Sequence, residues 1–260
     1  MVYEDLILEK NDQGFAIVTL NVPQKLNALT KKMRMNLPKV VDKVAKDDKI
    51  RVLIVTGAGR GFCSGIDLSS PRRKSLRYDR LQVIGWPVAD VFPKLNKPVI
   101  AAVNGACVGA GFSLALSCDI RIASVKARFG AVQIARALVP DFGMTLSLPK
   151  AAGMSNALKL MFTGDIISAT EAKHLGIVSQ VTEPEDLLKT AQALAIKIAE
   201  QAPIAVELTK KIVWRGFLDS LTHQLDLETL GYQICRQTED YKNSVQAFLE
   251  KRPQPIFRGE

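Results

Sequence analysis

Two features between residues 97 and 153 could act together in acid–base chemistry. Gly109-Ala110-Gly111 opens an apolar helical run, and the first N–H groups of a helix have no partner within it. Such groups, at the positive end of the helix dipole, suit an anion or a developing enolate oxygen. Asp141 lies further along, and Asp119 is the only other acidic residue between Lys97 and Asp141. The stretch predicts an oxyanion site served by one carboxylate, although small residues also let a helix pack closely on a strand.

Asp141 stands in the apolar segment Val139-Pro140-Asp141-Phe142-Gly143. Apolar neighbours should remove water from the carboxylate, which raises the pKa of an Asp above its usual value of about 3.9 and makes it a better base. Asp is also a favoured helix N-cap, and a helix is predicted from residue 144 to 151. The residues by themselves leave both roles open, catalysis and capping.

Strands and helices alternate among the elements that must position these residues. Apolar periodicity predicts them, and Thr30 is a suitable N-cap for the first helix. The predicted strands are 3–9, 15–20, 51–56, 98–103, 119–124 and 177–181; the predicted helices are 30–46 and 109–117, then a loop and a helix broken near Pro87 within 71–95, and helical patterns from 144 to 250, including 186–200 and 204–216. Strands that alternate with helices predict an α/β fold with parallel pairing.

The composition is that of an ordinary globular protein, with 260 residues, 47% of them hydrophobic and 23% charged. No apolar run reaches the roughly 18 residues of a membrane span, and the N-terminus lacks the pattern of a signal peptide. We therefore expect a cytoplasmic protein. The four cysteines, at positions 63, 107, 118 and 235, form no CxxC pair and are expected to be free thiols, mostly buried. Two distant histidines, His174 and His223, predict no metal site.

The net charge of +9 favours an anionic partner, which could be nucleic acid, a membrane surface or a phosphate-bearing ligand. The densest basic cluster is Arg72-Arg73-Lys74 with Arg77 and Arg80, for which a solvated surface is the simplest interpretation. The glycine-rich segment 59–68 follows a buried strand but matches neither the dinucleotide-binding pattern nor the P-loop. Charge alone therefore identifies no partner.

Several segments occur in a specific order and at specific spacings. They are 23–29 (PQKLNAL), 61–68 (GFCSGIDL), 97–105 (KPVIAAVNG), 117–123 (SCDIRIA), the Phe129-Gly130 pair, the Pro140 turn, 163–165 (TGD), 169–178 (ATEAKHLGIV) and 248–252 (FLEKR). Over nearly its whole length the chain closely resembles the enoyl-CoA hydratase/isomerase, or crotonase, superfamily. The resemblance implies a crotonase-like spiral of ββα units with a C-terminal helical trimerisation region.

That resemblance also implies an acyl-CoA thioester as the substrate, with coenzyme A entering as part of it and no cofactor bound permanently. It implies a homotrimer or hexamer, and no partner in DNA or in a membrane. Residues 1–195 would form the spiral core that binds acyl-CoA. Residues 196–260 would form a helical region that makes the oligomer and covers the CoA pocket.

The family's site residues can be carried over by motif. Two backbone N–H groups, of Ile66 and Ala110, would hold the thioester oxygen, and a fixed donor there can contribute about 3–4 kcal/mol. The residues expected to bind coenzyme A are Lys25, Leu26, Ala28, Ser64, Ile66, Phe248 and Lys251. Those expected to line the acyl pocket are Val83 and Trp86, although Trp86 could equally pack in the core.

The chain departs from the hydratase pattern of the family. Hydratases use two glutamates to activate water, and those two places hold Ser113 and Gln133, neither of which has the basicity of a carboxylate. Asp141 takes the place where isomerases acting on dienoyl-CoA or on the ring-epoxide of phenylacetyl-CoA carry an aspartate. The combination looks most like the phenylacetate-pathway branch, and it predicts an enoyl-CoA isomerase in which Asp141 shuttles a proton.

Two alternatives stay open. The chain could be an enoyl- or dienoyl-CoA hydratase or an acyl-CoA hydrolase, using Asp141 with another carboxylate such as Asp67, although Asp67 suits a cap of the segment after it. It could also be a non-catalytic or RNA-binding member of the fold, which the net charge of +9 permits, although no RNA-binding motif is visible. The residues do not identify the acyl group of the substrate, nor whether the pathway is fatty acid metabolism or aromatic degradation. Ser113 and Gln133 could orient the substrate or only fill space.

Overall fold

Two sheets and a set of covering helices make up the protein, whose computed structural model describes residues 2–67 and 88–259. The strands are β1 (Val2–Tyr3), β2 (Leu6–Lys10), β3 (Phe15–Leu20), β4 (Val52–Gly57), β5 (Gly61–Cys63), β6 (Val99–Val103), β7 (Ala106–Val108), β8 (Ile120–Ser124), β9 (Arg128–Gly130), β10 (Ile166–Ser168) and β11 (Gln180–Thr182). Within the described ranges, none of the helices has the length and apolar character needed to cross a bilayer.

The larger sheet has seven strands in the order β1-β2-β3-β4-β6-β8-β11. Strands β1, β2 and β3 pair antiparallel, which confirms the predicted hairpin. From β3 onward every pair is parallel, which confirms the α/β prediction. The carboxyl ends of β4 and β6 therefore point to the same edge of this sheet, from which the glycine-rich loops leave.

The smaller sheet has four short strands in the order β10-β9-β7-β5. The sequence predicted none of them, because three residues are too few to show a periodic pattern. The strand predicted at 177–181 is also misplaced, since β11 begins at Gln180. Ile177 instead donates its N–H to the carbonyl of Ala172 at 2.8 Å, which closes the preceding helix after the positive φ of Gly176.

The helices largely follow the predicted pattern. They are α1 (Lys31–Ala45), α2 (Val91–Lys94), α3 (Ala110–Leu116), α4 (Met144–Ala152), α5 (Met154–Thr163), α6 (Ala169–His174), α7 (Leu187–Ala199), α8 (Pro203–Cys235) and α9 (Glu239–Leu249). Thr30 caps α1 as predicted, accepting from Met33 N–H. Helix α8 runs for 33 residues, within the helical pattern predicted from 144 to 250, and it extends the named segment 204–216 in one continuous helix. The break expected near Pro87 lies outside the described residues.

The core lies on both faces of the larger sheet. Alternate residues of β4 point to opposite faces, so Leu53 and Val55 join one apolar cluster while Val52 and Ile54 join the other. Helix α1 covers the first face and α7 the second, the latter through Leu187, Ala191 and Ala195. The proposed division between residues 195 and 196 therefore falls inside a helix that packs on the sheet, and it stays a prediction.

A buried ion pair ties the first half of α8 to this sheet. Lys210 lies 2.8 Å from the carboxylate of Asp119, and its ammonium also donates to the carbonyls of Phe92 and Lys97. Asp119 in turn accepts from the backbone N–H of Val99 at the start of β6. Burial lowers the pKa of Lys210, which the charge of Asp119 opposes. These contacts fix the position of α8 relative to the larger sheet.

Candidate active site

Asp141 lies in the turn between a short 3-10 helix at Val132–Arg136 and α4. The residue is 5% exposed, and burial raises its pKa to about 7, which the hydrogen bond from Gln133 opposes. The predicted desolvation is thus confirmed. The capping role is wrong: the N-cap of α4 is Gly143, without a side-chain cap, and Asp141 contributes only its backbone carbonyl, to Met144 N–H at 3.2 Å.

Ser113 and Gln133 both contact Asp141. The amide Nε2 of Gln133 donates to Asp141 Oδ1 at 3.1 Å, and the hydroxyl of Ser113 donates to the Asp141 carbonyl at 2.8 Å. The amide oxygen of Gln133 is buried and finds no partner among residues 2–67 and 88–259. The residues at the two predicted glutamate places therefore both contact Asp141, one at its carboxylate and one at its backbone carbonyl.

The two backbone turns predicted to hold an oxyanion lie against each other. Gly65 and Gly109 have φ of 97° and 56°, and a Cβ added to Gly65 would stand 3.4 Å from the nitrogen of Ala110. Ala110 begins α3, so the helix supplies no acceptor for its N–H. In the described part of the chain, no backbone carbonyl accepts from Ile66 N–H. The two turns that carry these N–H groups therefore contact each other, and a joint role in holding a thioester oxygen stays a prediction.

The small residues of α3 also serve packing, as the alternative interpretation held. A Cβ on Gly111 would stand 2.1 Å from the carbonyl oxygen of Cys63, so only glycine lets the helix approach β5 this closely. The hydroxyl of Ser113, one turn on, lies 3.5 Å from the carbonyl of Gly109 as well as 2.8 Å from that of Asp141. One side chain thus connects the start of α3 with the carboxylate-bearing turn.

The predicted CoA loop surrounds the oxyanion turns on one side. Ser64 donates its hydroxyl to the Lys25 carbonyl at 2.9 Å and its N–H to the Leu26 carbonyl at 3.0 Å. The ammonium of Lys25 lies 2.8 Å from the carboxylate of Asp67, so Asp67 pairs with a lysine here. The segment that Asp67 was expected to cap lies outside the described residues. Ala28, by contrast, is buried.

A buried amide that sequence reasoning missed organises the same loop. Asn27 accepts from Val22 N–H through Oδ1 and donates through Nδ2 to the carbonyls of Ala58 and Gly61. Leu26 and Asn27 both have positive φ, which is uncommon for residues other than glycine. Three hydrogen bonds at one fully buried side chain hold the loop in this conformation.

The remaining predicted residues lie apart or outside the described ranges. Phe248 on α9 is half-exposed, with the guanidinium of Arg136 over its ring at 4.2 Å, and Lys251 follows at the exposed end of that helix. Both lie on a different part of the chain from the Lys25 loop. Val83, Trp86 and the basic cluster from 72 to 80 fall within the range that is not described.

The cysteines are free, as predicted, and three of them are buried. Burial raises the pKa of Cys63 to about 12 and the pKa values of Cys107 and Cys118 well above the usual range, so these thiols are inert as nucleophiles. Over the described ranges, no three His, Cys, Asp or Glu side chains are grouped closely enough to hold a metal ion.

Glu228 on α8 is a second buried carboxylate near Asp141, and sequence reasoning missed it. It is 4% exposed and accepts from the N–H groups of Gly143 and Thr145, at 2.7 and 3.0 Å. One signal in the sequence was available: Leu221, Leu225 and Tyr232 mark an apolar stripe at helical spacing, and Glu228 stands on it. A charge on an apolar stripe indicates a buried partner.

Comparison with known proteins identifies the family. A sequence profile described as enoyl-CoA hydratase/isomerase matches residues 10–259. The chain belongs to the enoyl-CoA hydratase/isomerase family. This confirms the resemblance drawn from its motifs.

The relatives of this chain include proteins named as hydratases and a protein named as an isomerase. The chain is 39% identical over 261 residues to the short-chain-enoyl-CoA hydratase of Clostridium acetobutylicum, which covers 100% of each chain. It is 37% identical over 264 residues to the 1,2-epoxyphenylacetyl-CoA isomerase of Escherichia coli, covering 98% of this chain and 99% of that protein.

Solved structures confirm the crotonase-like fold. The crystal structure of an enoyl-CoA hydratase/isomerase from Pseudoalteromonas atlantica T6c superposes with a TM-score of 0.87 at 29% identity, covering 97% of this chain and 100% of that one. The family acts on CoA thioesters, so an acyl-CoA is the class of substrate this member handles.

Proposed function

We propose that this chain is an enoyl-CoA isomerase that moves a proton with Asp141 while Ile66 N–H and Ala110 N–H stabilise a thioester enolate. The observation that carries the proposal is the buried Asp141 carboxylate, whose pKa of about 7 suits a group that must both take and return a proton at neutral pH. Gln133 donates to this carboxylate and Ser113 to the backbone carbonyl of the same residue, and neither side chain supplies a second base. The isomerase among the relatives, at 37% identity, supports the same reaction type.

The proton balance needs no co-reactant. With a 3-enoyl-CoA ester, the ionised Asp141 takes a proton from the carbon next to the thioester. The electron pair of that C–H bond moves toward the carbonyl, and the negative charge on its oxygen is met by the two backbone N–H groups. The protonated Asp141 then returns its proton to the carbon at the far end of the dienolate. The carbonyl re-forms, and the double bond ends beside the thioester.

Asp141→Asn is the decisive variant. Asparagine keeps the shape and the hydrogen bond to Gln133 but cannot accept a proton, so we expect isomerisation of a 3-enoyl-CoA ester to fall about 10²–10⁴-fold. Binding of the CoA ester, measured by calorimetry, should stay within about twofold. Asp12→Asn, an exposed residue in the β2–β3 turn, is the matched control and should leave the rate unchanged. Wild-type turnover in Asp141→Asn would overturn the assignment.

Hydration is a second candidate, and the buried amide oxygen of Gln133 favours it. A water molecule beside Asp141 could donate one hydrogen to the carboxylate and the other to this oxygen, which would orient its lone pair toward the substrate. The hydratase relative at 39% identity is consistent with that reaction. Turnover of a 2-enoyl-CoA ester in heavy-oxygen water separates the two, because hydration and hydrolysis incorporate solvent oxygen and isomerisation does not.

The remaining predictions on binding and assembly are proposals of the same kind. The CoA part of the substrate would lie along Lys25, Leu26, Ala28, Ser64 and Ile66, with Phe248 and Lys251 approaching from a neighbouring copy. The helical region from 196 to 260 would build the homotrimer or hexamer. Helix α8 exposes three large apolar side chains, those of Ile204, Ile212 and Val213, which are 74%, 72% and 69% exposed. Exposed apolar residues of this kind are typical of a surface that another copy covers. Light scattering measures the number of copies directly.

A further inference from the structure

Glu228 has no role in the proton transfer described above, yet it is among the most buried charged residues of the protein. Both its oxygens accept hydrogen bonds from the turn that carries Asp141. Oε2 accepts from Gly143 N–H at 2.7 Å; Oε1 accepts from Thr145 N–H at 3.0 Å and from the Thr145 hydroxyl at 2.5 Å. Gly143 is the N-cap residue of α4 and Thr145 lies in its first turn, and this helix start has no capping side chain of its own. A residue 83 positions away in sequence thus supplies the missing cap.

Glu228 is one of three residues on a single face of α8 that meet this turn. Gln224, one turn earlier, donates to the hydroxyl of Thr145 at 2.5 Å. Gly231, nearly one turn later, is so close to the turn that an added Cβ would stand 3.2 Å from the side chain of Val139. The spacing of four and three residues places all three on the same helix face. The face therefore contacts the turn on both sides of Asp141.

Resting on the proposed function, the geometry points to Glu228 as a positioning residue that holds the Asp141 turn against α8 and keeps a negative charge beside the reacting carboxylate. This role of Glu228 deepens the proposed function, because the basicity of Asp141 then depends on a residue that touches no substrate. Two contributions follow from the contacts: geometric restraint of residues 143–145, and electrostatic repulsion of the ionised Asp141.

The second contribution has a definite sign. The groups that face Asp141 are Gln133 from the 3-10 helix, Ser113 from α3 and Glu228 from α8; within the described ranges, Glu228 is the charged one. Its charge raises the pKa of Asp141, in addition to the larger effect of burial. Burial likewise raises the pKa of Glu228, which its hydrogen bonds oppose. Neutralising Glu228 should therefore make Asp141 easier to ionise and weaker as a base.

Glu228→Gln is the test, read as a pH profile of kcat/KM for a 3-enoyl-CoA ester. The rising limb, which reports ionisation of the base, should move to lower pH by at least half a unit. The plateau of kcat should fall about tenfold, while KM changes by less than twofold. Asp226→Asn, on the same helix but exposed, removes an equal charge and should shift neither quantity. If the rising limb of the pH profile of Glu228→Gln coincides with that of wild type, the electrostatic contribution of Glu228 is overturned.

Thr145→Val separates restraint from charge. It removes the hydrogen bonds of the Thr145 hydroxyl with Glu228 and Gln224 but no charge, so kcat should fall several-fold while the rising limb of the pH profile stays close to that of wild type. If Glu228→Gln does not fold, as judged by circular dichroism, Glu228→Asp retains the charge with a shorter reach and should follow Thr145→Val. Wild-type kcat in Thr145→Val would overturn the restraint. If Asp141→Asn keeps full activity, the proposed function fails; if Asp141→Asn is inactive and Glu228→Gln matches wild type, only this inference fails.

Discussion

The candidate site has two halves that are built by different means. The oxyanion turns, residues 64–66 and 109–111, present backbone N–H groups, and their geometry depends on glycines at positive φ. The Asp141 turn, residues 139–145, presents a side chain whose proton affinity depends on burial and on contacts from α3, the 3-10 helix and α8. The first half depends on backbone conformation and on close contact between two turns, and the second depends on side-chain contacts from three other elements.

This difference says which substitutions each half should tolerate. Backbone donors are indifferent to the side chain that follows them, so the oxyanion turns should accept changes at Ile66 and reject any side chain at Gly65. The Asp141 turn should respond in the opposite way, since its neighbours tune the carboxylate through single hydrogen bonds and charges. A member of this family could therefore change its acid–base chemistry through a few side chains while the oxyanion turns stay the same.

Among substitutions that leave Asp141 in place, Gly65→Val should have the largest effect on kcat. Its Cβ would stand 3.2 Å from the carbonyl of Val108 and 3.4 Å from the nitrogen of Ala110, at a φ that valine strongly disfavours. Displacing an oxyanion donor costs about 10²–10³ in rate, and we expect a loss of kcat at or above the upper value. Ile66→Val keeps the backbone and most of the packing, and it should stay within about twofold of wild type. Equal losses in the two variants would contradict a backbone-built half.

The same division explains what could be predicted from the sequence. The oxyanion turns were predictable because their signal is local: glycines directly follow buried strands or open a helix. The hairpin, α1 and β4 were predictable for the same reason, since their apolar periodicity is continuous. Desolvation of Asp141 was also predictable, because its neighbours in sequence are apolar and stay around it in the fold.

What could not be predicted depends on contacts between distant segments. Glu228 lies 85 residues from the Gly143 N–H that it accepts from, and no local pattern connects them. The buried Asn27 and the short strands of the smaller sheet are similar cases, because each is fixed by backbone groups far along the chain. The helical pattern from 144 to 250 included α8, but its bounds as one helix were not predicted, because its apolar residues do not keep to one face over 33 residues.

Gln133→Leu should give the next largest effect and sharpens the comparison within the Asp141 turn. Leucine fills similar space but removes the hydrogen bond that lowers the pKa of Asp141. The rising limb of the pH–rate profile should therefore move to higher pH, opposite in sign to the shift expected for Glu228→Gln. We expect kcat at pH 7 to fall about tenfold. A shift to lower pH would show that Gln133 does not stabilise the ionised carboxylate.

The Asp141 turn should also limit stability, whereas the oxyanion turns should not. Since the folded protein raises the pKa of Asp141 to about 7 from an ordinary 3.8, its contribution to stability is complete below the unfolded value and is lost as pH rises through 7. Asp141→Asn avoids this loss, so its Tm should exceed that of wild type by a few degrees at pH 8. At pH 4 the difference should disappear. Scanning calorimetry at the two pH values measures it, and a constant difference would contradict the ionisation argument.

Lys25→Ala tests the edge of the oxyanion turns and should have the smallest effect. The Lys25 side chain is 44% exposed and that of Asp67 is 8% exposed, so water reaches the ion pair from the lysine side and should hold its contribution to about 1 kcal/mol. If the ammonium also meets a phosphate of coenzyme A, KM for the CoA ester should rise about two- to fivefold, and the difference from wild type should shrink in high salt. Lys49→Ala removes another exposed ammonium, beside β4, and should leave KM unchanged. A rise in KM of equal size in both variants would reflect the overall charge of the protein, and would leave the CoA contact at Lys25 without support.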